Sequence, residues 1–165
     1  MDSKEIYQFY LSDRFNPILP TQAKFRHFRF KLADGSWRRV REHIANREDL
    51  VKNIIKNGAI DVYYSTAQWS RPEVVSCKGH SGTYVIADNL ILSHDLVFDV
   101  DANTPDMEGL DLARKSTNNL FEAMKEFTRF EFEYCAVTGS KGFRLSYHDR
   151  GLRLPIDPKA RFEYI

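Results

Sequence analysis

Apolar residues Ile6, Phe9 and Tyr10 recur at helical spacing behind Asp2 and Ser3, either of which suits a cap, and this predicts a short first helix. The pattern then changes to a period of two. Phe28, Phe30 and Leu32 alternate with Arg29 and Lys31, as in a half-buried strand that turns its basic residues outward, and Asp34-Gly35 reads as a hairpin turn into a partner strand over 37–40. Helical spacing returns with Leu50, Val51, Ile54 and Ile55; Asn46 is the N-cap, Glu48 and Asp49 lie in the first turn, and Gly58 ends the helix. A strand over 60–66 follows, then a stretch over 71–81 with little periodicity, which reads as loop. Residues 83–87 and 91–100 are β-branched and apolar, and each predicts a strand. Thr104 is the expected cap of a third helix, with Pro105 in its first position and Asp106 and Glu108 near its positive end. This helix buries Leu110, Ala113, Thr117, Leu120, Phe121 and Met124 before a strand over 132–137. About seven strands and three helices in this order predict an α+β domain and not a bundle.

Composition narrows the picture. A chain of 165 residues with 42% hydrophobic content carries one full core, so residues 1–165 are expected to form a single domain. No apolar run reaches the roughly 18 to 20 residues of a membrane span, and the N-terminal residues lack the basic and apolar segments of a signal peptide. The expectation is a soluble, cytoplasmic protein without a membrane partner. Cys77 and Cys135 show no pairing pattern, and Cys77 with His80 is half of a zinc ligand set, so neither a disulfide framework nor structural zinc is expected. The net charge of +1 conceals segregation: from Lys24 to Arg47 there are eight Lys or Arg against two acids. A second basic stretch runs from Lys141 to Arg161, and acids gather between Asp88 and Glu133. Basic flanks suit a polyanion and an acidic centre suits a metal, although a solvated charged face has the same composition.

The segment Ser93-His94-Asp95-Leu96-Val97-Phe98-Asp99-Val100-Asp101 places acids inside a strand pattern. Alternation puts Asp99 and Asp101 on one face and Phe98 and Val100 on the other. Two buried carboxylates so close repel each other, and a divalent cation would neutralise them; Mg²⁺ or Mn²⁺ held there suits phosphoryl transfer. The alternative geometry has Asp101 ending the strand and Asp99 facing solvent on a sheet edge.

The run LVFDVDAN, preceded by VYYSTAQWSRPE and followed after a helix by AVTGSKGFRLSYHD, resembles the catalytic small subunit of archaeal and eukaryotic DNA primases. Tyr63-Tyr64-Ser65 with Pro72 resembles the aromatic strand before the active site, Asp99 and Asp101 resemble the metal-binding first motif, and Gly139-Ser140-Lys141-Gly142 resembles the small basic turn of the second. The similarity runs from about Phe25 onward. It implies an RRM-like sheet carrying the acids, packed with a second α/β unit, and template-directed synthesis from nucleoside triphosphates.

On this resemblance the expected roles are metal binding and catalysis by Asp99 and Asp101, and nucleotide binding by Ser140, Lys141, Arg144, Ser146 and His148. Template binding falls to the basic residues Arg29, Lys31, Arg38 and Arg39. Arg144 stands where relatives place a histidine, and His148, in Ser146-Tyr147-His148, is the nearest one. The zinc-binding insertion and the long helical segment between the later motifs are absent, which implies a reduced form. Asp157, between Pro155 and Pro158, fits either the family's third carboxylate or a structural strand end, and Asp95 and Asp149 are the next acids to consider. The expected function is that of a primase-polymerase using Mg²⁺ or Mn²⁺, with a primase large subunit or a repair ligase as a further partner. The competing functions are a non-catalytic accessory subunit of a primase complex and a metal-dependent nuclease or phosphoesterase.

Overall fold

The period-two segment around Phe30 and the helical stripe around Ile54 come together in the first half of the chain. The computed structural model describes residues 3–74, 91–104, 106–138 and 142–150. The chain divides into two compact units, Met1–Leu92 and Ser93–Ile165. Helix α1 (Ser3–Leu11) precedes β1 (Arg26–Leu32), which pairs antiparallel with β2 (Trp37–Arg39) and β3 (Ala59–Trp69). With β4 (Ile91–His94) they form a sheet of order β2-β1-β3-β4. The β1–β2 turn is made by Gly35 at φ +80° and by Asp34, whose Oδ1 accepts the Ser36 N–H at 2.8 Å. A left-handed φ there favours glycine.

Helix α2 (Arg47–Asn57) starts and stops where its end residues dictate. Asn46 Oδ1 accepts the Asp49 N–H at 2.8 Å, and Gly58 at φ 69° terminates the helix. Its buried face, Leu50 and Ile54, packs with Phe28, Phe30, Val40, Ile44 and Ala59, and Tyr10 and Phe15 close one side. Arg47 ties the segment after α1 to α2: its Nε–H donates to the Phe15 carbonyl at 2.8 Å and its Nη2–H to that of Ser12 at 3.1 Å.

The second unit contains β5 (Leu96–Asp101), α3 (Met107–Met124), β6 (Phe130–Val137) and β7 (Gly142–Asp149). The sheet order is β5-β7-β6, with both pairings antiparallel. Leu145, Tyr147 and Met124 form its buried centre, joined by Leu96, Phe98, Leu120, Phe121 and Phe130, so α3 covers one face of this sheet. Each unit thus combines helices with an antiparallel sheet, the α+β class expected from the pattern. Seven strands and three α-helices occur among the described residues.

Two expectations change. Residues 91–100 are not one strand: the chain leaves the first sheet after His94 and enters the second at Leu96, and the break falls on Asp95, whose side chain is buried against His148. An apolar run does not reveal such a transfer because both strands read alike. The cap of α3 is Asp106 and not Thr104. The Asp106 carboxylate accepts the Gly109 N–H at 2.7 Å and is held by the Thr104 hydroxyl at 2.9 Å. A carboxylate at this position also faces the positive helix end. Pro105 and the expected strand over 83–87 lie outside the described residues, as does 75–81 of the expected loop. No helix among the described residues is long and apolar enough to cross a membrane.

Phe30 is fully buried at the centre of the first core. Replacing it with Ala is expected to destabilise the protein by about 3 to 5 kcal/mol, read as a lowered urea midpoint; a change below about 1 kcal/mol would mean that this core does not hold the unit together.

Candidate functional site

With the apolar positions of β5 and β7 packed on α3, strand alternation sends the intervening residues to the opposite face. The register is Val97↔Ser146, Asp99↔Arg144 and Asp101↔Gly142, and β6 adds Glu131↔His148 and Tyr134↔Ser146. Asp95, Asp99, Asp101, Arg144, Ser146 and His148 therefore share one face of the second sheet. Asp149, of opposite parity, does not belong to it. Its buried carboxylate is gripped by Arg129 at 2.9 and 2.7 Å, an ion pair that ties the β7 end to the β6 start.

Asp99 and Asp101 are exposed rather than buried, β5 is an edge strand among the described residues, and Asp101 is its last residue. The neutralising cation that a buried pair would demand is therefore not needed for folding. Asp99 has a protein counter-ion instead: Arg144 Nε–H and Nη2–H donate to Asp99 Oδ1 and Oδ2 at 2.6 and 3.0 Å. That bidentate hydrogen bonding, with the guanidinium charge, holds the Asp99 carboxyl below the usual aspartate range. Because the folded-state value is depressed, the ionised pair contributes stability above the unfolded-state value, and this is lost as pH falls through the folded one; solvent exposure keeps it small.

Gly142 is required opposite Asp101. A Cβ at this position would collide with the Val100 carbonyl oxygen and sit 2.7 Å from Asp101 Oδ1, so the bare backbone lets the two strands meet beside the carboxylate.

Further along the face, Ser146 is buried and its hydroxyl donates to Glu133 Oε2 at 3.0 Å. A bulge between Phe132 and Tyr134 inserts Glu133 into β6 and aims it there. His148 Nδ1 lies 3.4 Å from Oδ1 of the buried Asp95. Glu131 is cross-strand to His148 and is paired with Arg150 Nη2 at 2.8 Å, which holds its carboxyl low. From the sequence Asp95 was only a further acid to consider beside Asp149, and Glu133 was not singled out. Asp95 shares the parity of Asp99 and Asp101, a signal that points to its face; a bulge leaves no comparable signal for Glu133.

A cavity of about 350 Å³ opens beside Asp101, between the β5 end and the α3 start, lined by Asn103, Asp106, Glu108 and Ser116 among others. Among the described residues no three His, Cys, Asp or Glu side chains are grouped to hold a metal. Asp99 and Asp101 offer two hard oxygen donors. Mg²⁺ is commonly bound by one or two carboxylates together with waters and substrate phosphates, so this donor set suits such an ion.

The remaining expected site residues divide. Arg29, Lys31 and Arg39 share the outer face of the first sheet, whereas Arg38, opposite Phe30 in the register, is turned to the other side. Ser140, Lys141 and Asp157 lie outside the described residues, as do Cys77 and His80.

No family model matches the chain. It is 27% identical over 133 residues to the DNA primase small subunit PriS of Pyrobaculum calidifontis, an alignment covering 73% of this chain and 39% of that protein. The chain thus spans about two fifths of the curated relative it matches. The similarity is a distant hint of the primase family that the sequence motifs suggested.

The Asp99–Arg144 geometry gives a direct expectation. In Arg144→Ala the Asp99 carboxyl should titrate at higher pH than in the wild type, back toward the ordinary aspartate value, as followed by carboxyl-carbon NMR. An unchanged midpoint would show that the pair does not form in solution.

Proposed function

We propose that this chain carries the nucleotidyl-transfer core of a primase-polymerase, which joins nucleoside triphosphates along a template strand. The observation that carries the reading is the gathering of Asp99, Asp101, Arg144, Ser146 and His148 on one face of a helix-backed antiparallel sheet. The distant similarity to a DNA primase small subunit supports the same class.

Asp99 and Asp101 would hold Mg²⁺ or Mn²⁺, with the third donor coming from substrate phosphate, from water or from Asp157. When bound, the metal neutralises phosphate charge and lowers the pKa of an attacking hydroxyl. The chain's own residues then bind and orient. Arg144, now bidentate on Asp99, presents the same planar fork to a phosphate and would transfer to it when the carboxylate takes up a cation. The Asp95 carboxylate orients the His148 ring through Nδ1, and the ring would contact a phosphate oxygen. Ser146, held by Glu133, lines the floor between them. Ser140 and Lys141 would add donors to the triphosphate, and Arg29, Lys31 and Arg39 would bind template phosphates. A primase large subunit or a repair ligase is the expected protein partner.

A second reading, a non-catalytic accessory subunit, draws support from the Arg144 clasp, which occupies both oxygens of Asp99. Incorporation assays separate the two. With template, labelled nucleotides and Mg²⁺ or Mn²⁺, Asp99→Asn and Asp101→Asn should each lower incorporation by about a thousandfold or more while unfolding with wild-type midpoints. Wild-type incorporation in both variants would remove the mechanism. Absence of incorporation in the wild type, with nucleotide binding intact, would favour the accessory role. Arg144→Ala and His148→Ala should weaken nucleotide affinity more than template affinity; the reverse order would place them in the nucleic-acid path.

A further inference from the structure

The outer face of the first sheet carries two large aromatic side chains that its core does not use. Trp37, on β2, is opposite Lys31, and Tyr63, on β3, is opposite Arg29. The two residues are thus one strand apart with β1 between them, roughly 9.5 Å of backbone. Their rings nevertheless meet above β1, with centroids 4.8 Å apart and planes at 60°. Trp37 is 54% and Tyr63 47% exposed. A tilted pair covers at most one ring face, so flat aromatic surface remains open to solvent.

The surroundings are cationic. Arg29 and Lys31 flank the ring pair on β1, and Arg39 lies beside Arg29 on β2; Asp61, opposite Lys31, is the acid at the register positions of this face on these three strands. One end of the face is closed: His27 is buried, its Nδ1 3.3 Å from the Pro72 carbonyl oxygen, and burial together with the charges of Arg29 and Arg39 lowers its pKa. The cations and the rings therefore occupy the open end together.

We infer that Trp37 and Tyr63 form a base-stacking platform for single-stranded nucleic acid, with Arg29, Lys31 and Arg39 on the adjoining phosphates. The inference rests on the template-binding reading above and specifies the ligand as an unpaired strand, because ring faces stack only on bases free of a duplex. Charge complementarity selects a polyanion, and the aromatic pair selects one with exposed π-faces. A duplex-binding surface would use the cations and leave the rings idle. The pair also secures the short edge strand β2, but this structural role needs no ring of arginine and lysine around it.

The protein contains two tryptophans, and the other, Trp69, is buried with its Nε1–H donating to Ser65 Oγ at 3.0 Å. Trp69 therefore emits as a background that a bound strand does not reach, and quenching on strand binding reports on Trp37. The full chain is titrated with labelled oligothymidylate of about 16 nucleotides, with strand anisotropy and tryptophan emission recorded together. The expected result is binding accompanied by quenching, with the quenching absent in Trp37→Phe while strand binding persists. Trp37→Ala and Tyr63→Ala should each weaken binding about fivefold or more without altering its salt dependence. Arg39→Ala should reduce the slope of log affinity against log salt by about 0.7. Strand binding with unchanged emission, or quenching that persists in Trp37→Phe, would overturn the platform while leaving template binding in place. No strand binding even at low salt would overturn both. Emission that shifts with protein concentration alone would assign the rings to a protein contact instead.

Discussion

The antiparallel register between β5 and β7 is the constraint on which the candidate site depends. Once Leu96 and Phe98 pack with Leu145 and Tyr147 against α3, parity leaves Asp95, Asp99, Asp101, Arg144, Ser146 and His148 no other face to occupy. A slip of one residue would bury the acids against Leu120 and Phe121 and expose the apolar set. The hydrophobic contacts of α3 therefore fix which side chains face one another across the strands. Gly142 belongs to the same constraint, because a larger residue there would push β7 away from β5 beside Asp101.

The exposure of the two acids separates stability from chemistry. Asp99 is compensated by Arg144 and Asp101 lies at a strand end, so folding does not depend on a cation. A carboxylate on an edge strand is accessible to an incoming ion and its bound nucleotide, and the arginine that neutralises it is also a phosphate-binding group. Two deeper pairs, Asp95–His148 and Glu133–Ser146, are organised differently. Their acids are turned toward His148 and Ser146 of β7.

Much of this was legible in the chain because local rules dominate where elements are amphipathic. The Asp34-Gly35 turn, the Asn46 cap and the Gly58 stop all reflect local hydrogen bonding or a left-handed φ. The shared face of Asp99 and Asp101 followed from alternation alone. Contacts between distant residues were not legible: the Arg144 clasp on Asp99 spans 45 residues and depends on strand pairing. The transfer between sheets at Asp95 was hidden within a continuous apolar run. Arg38 was grouped with its basic neighbours by sequence, yet one step along a strand places it on the other face. Trp37 and Tyr63 were assigned to separate strands and became a pair only through the β2-β1-β3 order.

Under the proposed function, the polar face of the second sheet binds a divalent metal together with a nucleoside triphosphate. Mn²⁺ titrated into isotopically labelled protein with a non-hydrolysable triphosphate tests it most directly, through paramagnetic broadening of backbone amides. The expected result is selective loss of the signals of Asp99, Asp101, Arg144 and their strand neighbours, abolished in Asp99→Asn/Asp101→Asn protein. Broadening centred elsewhere, or equally strong in the double variant, would contradict it.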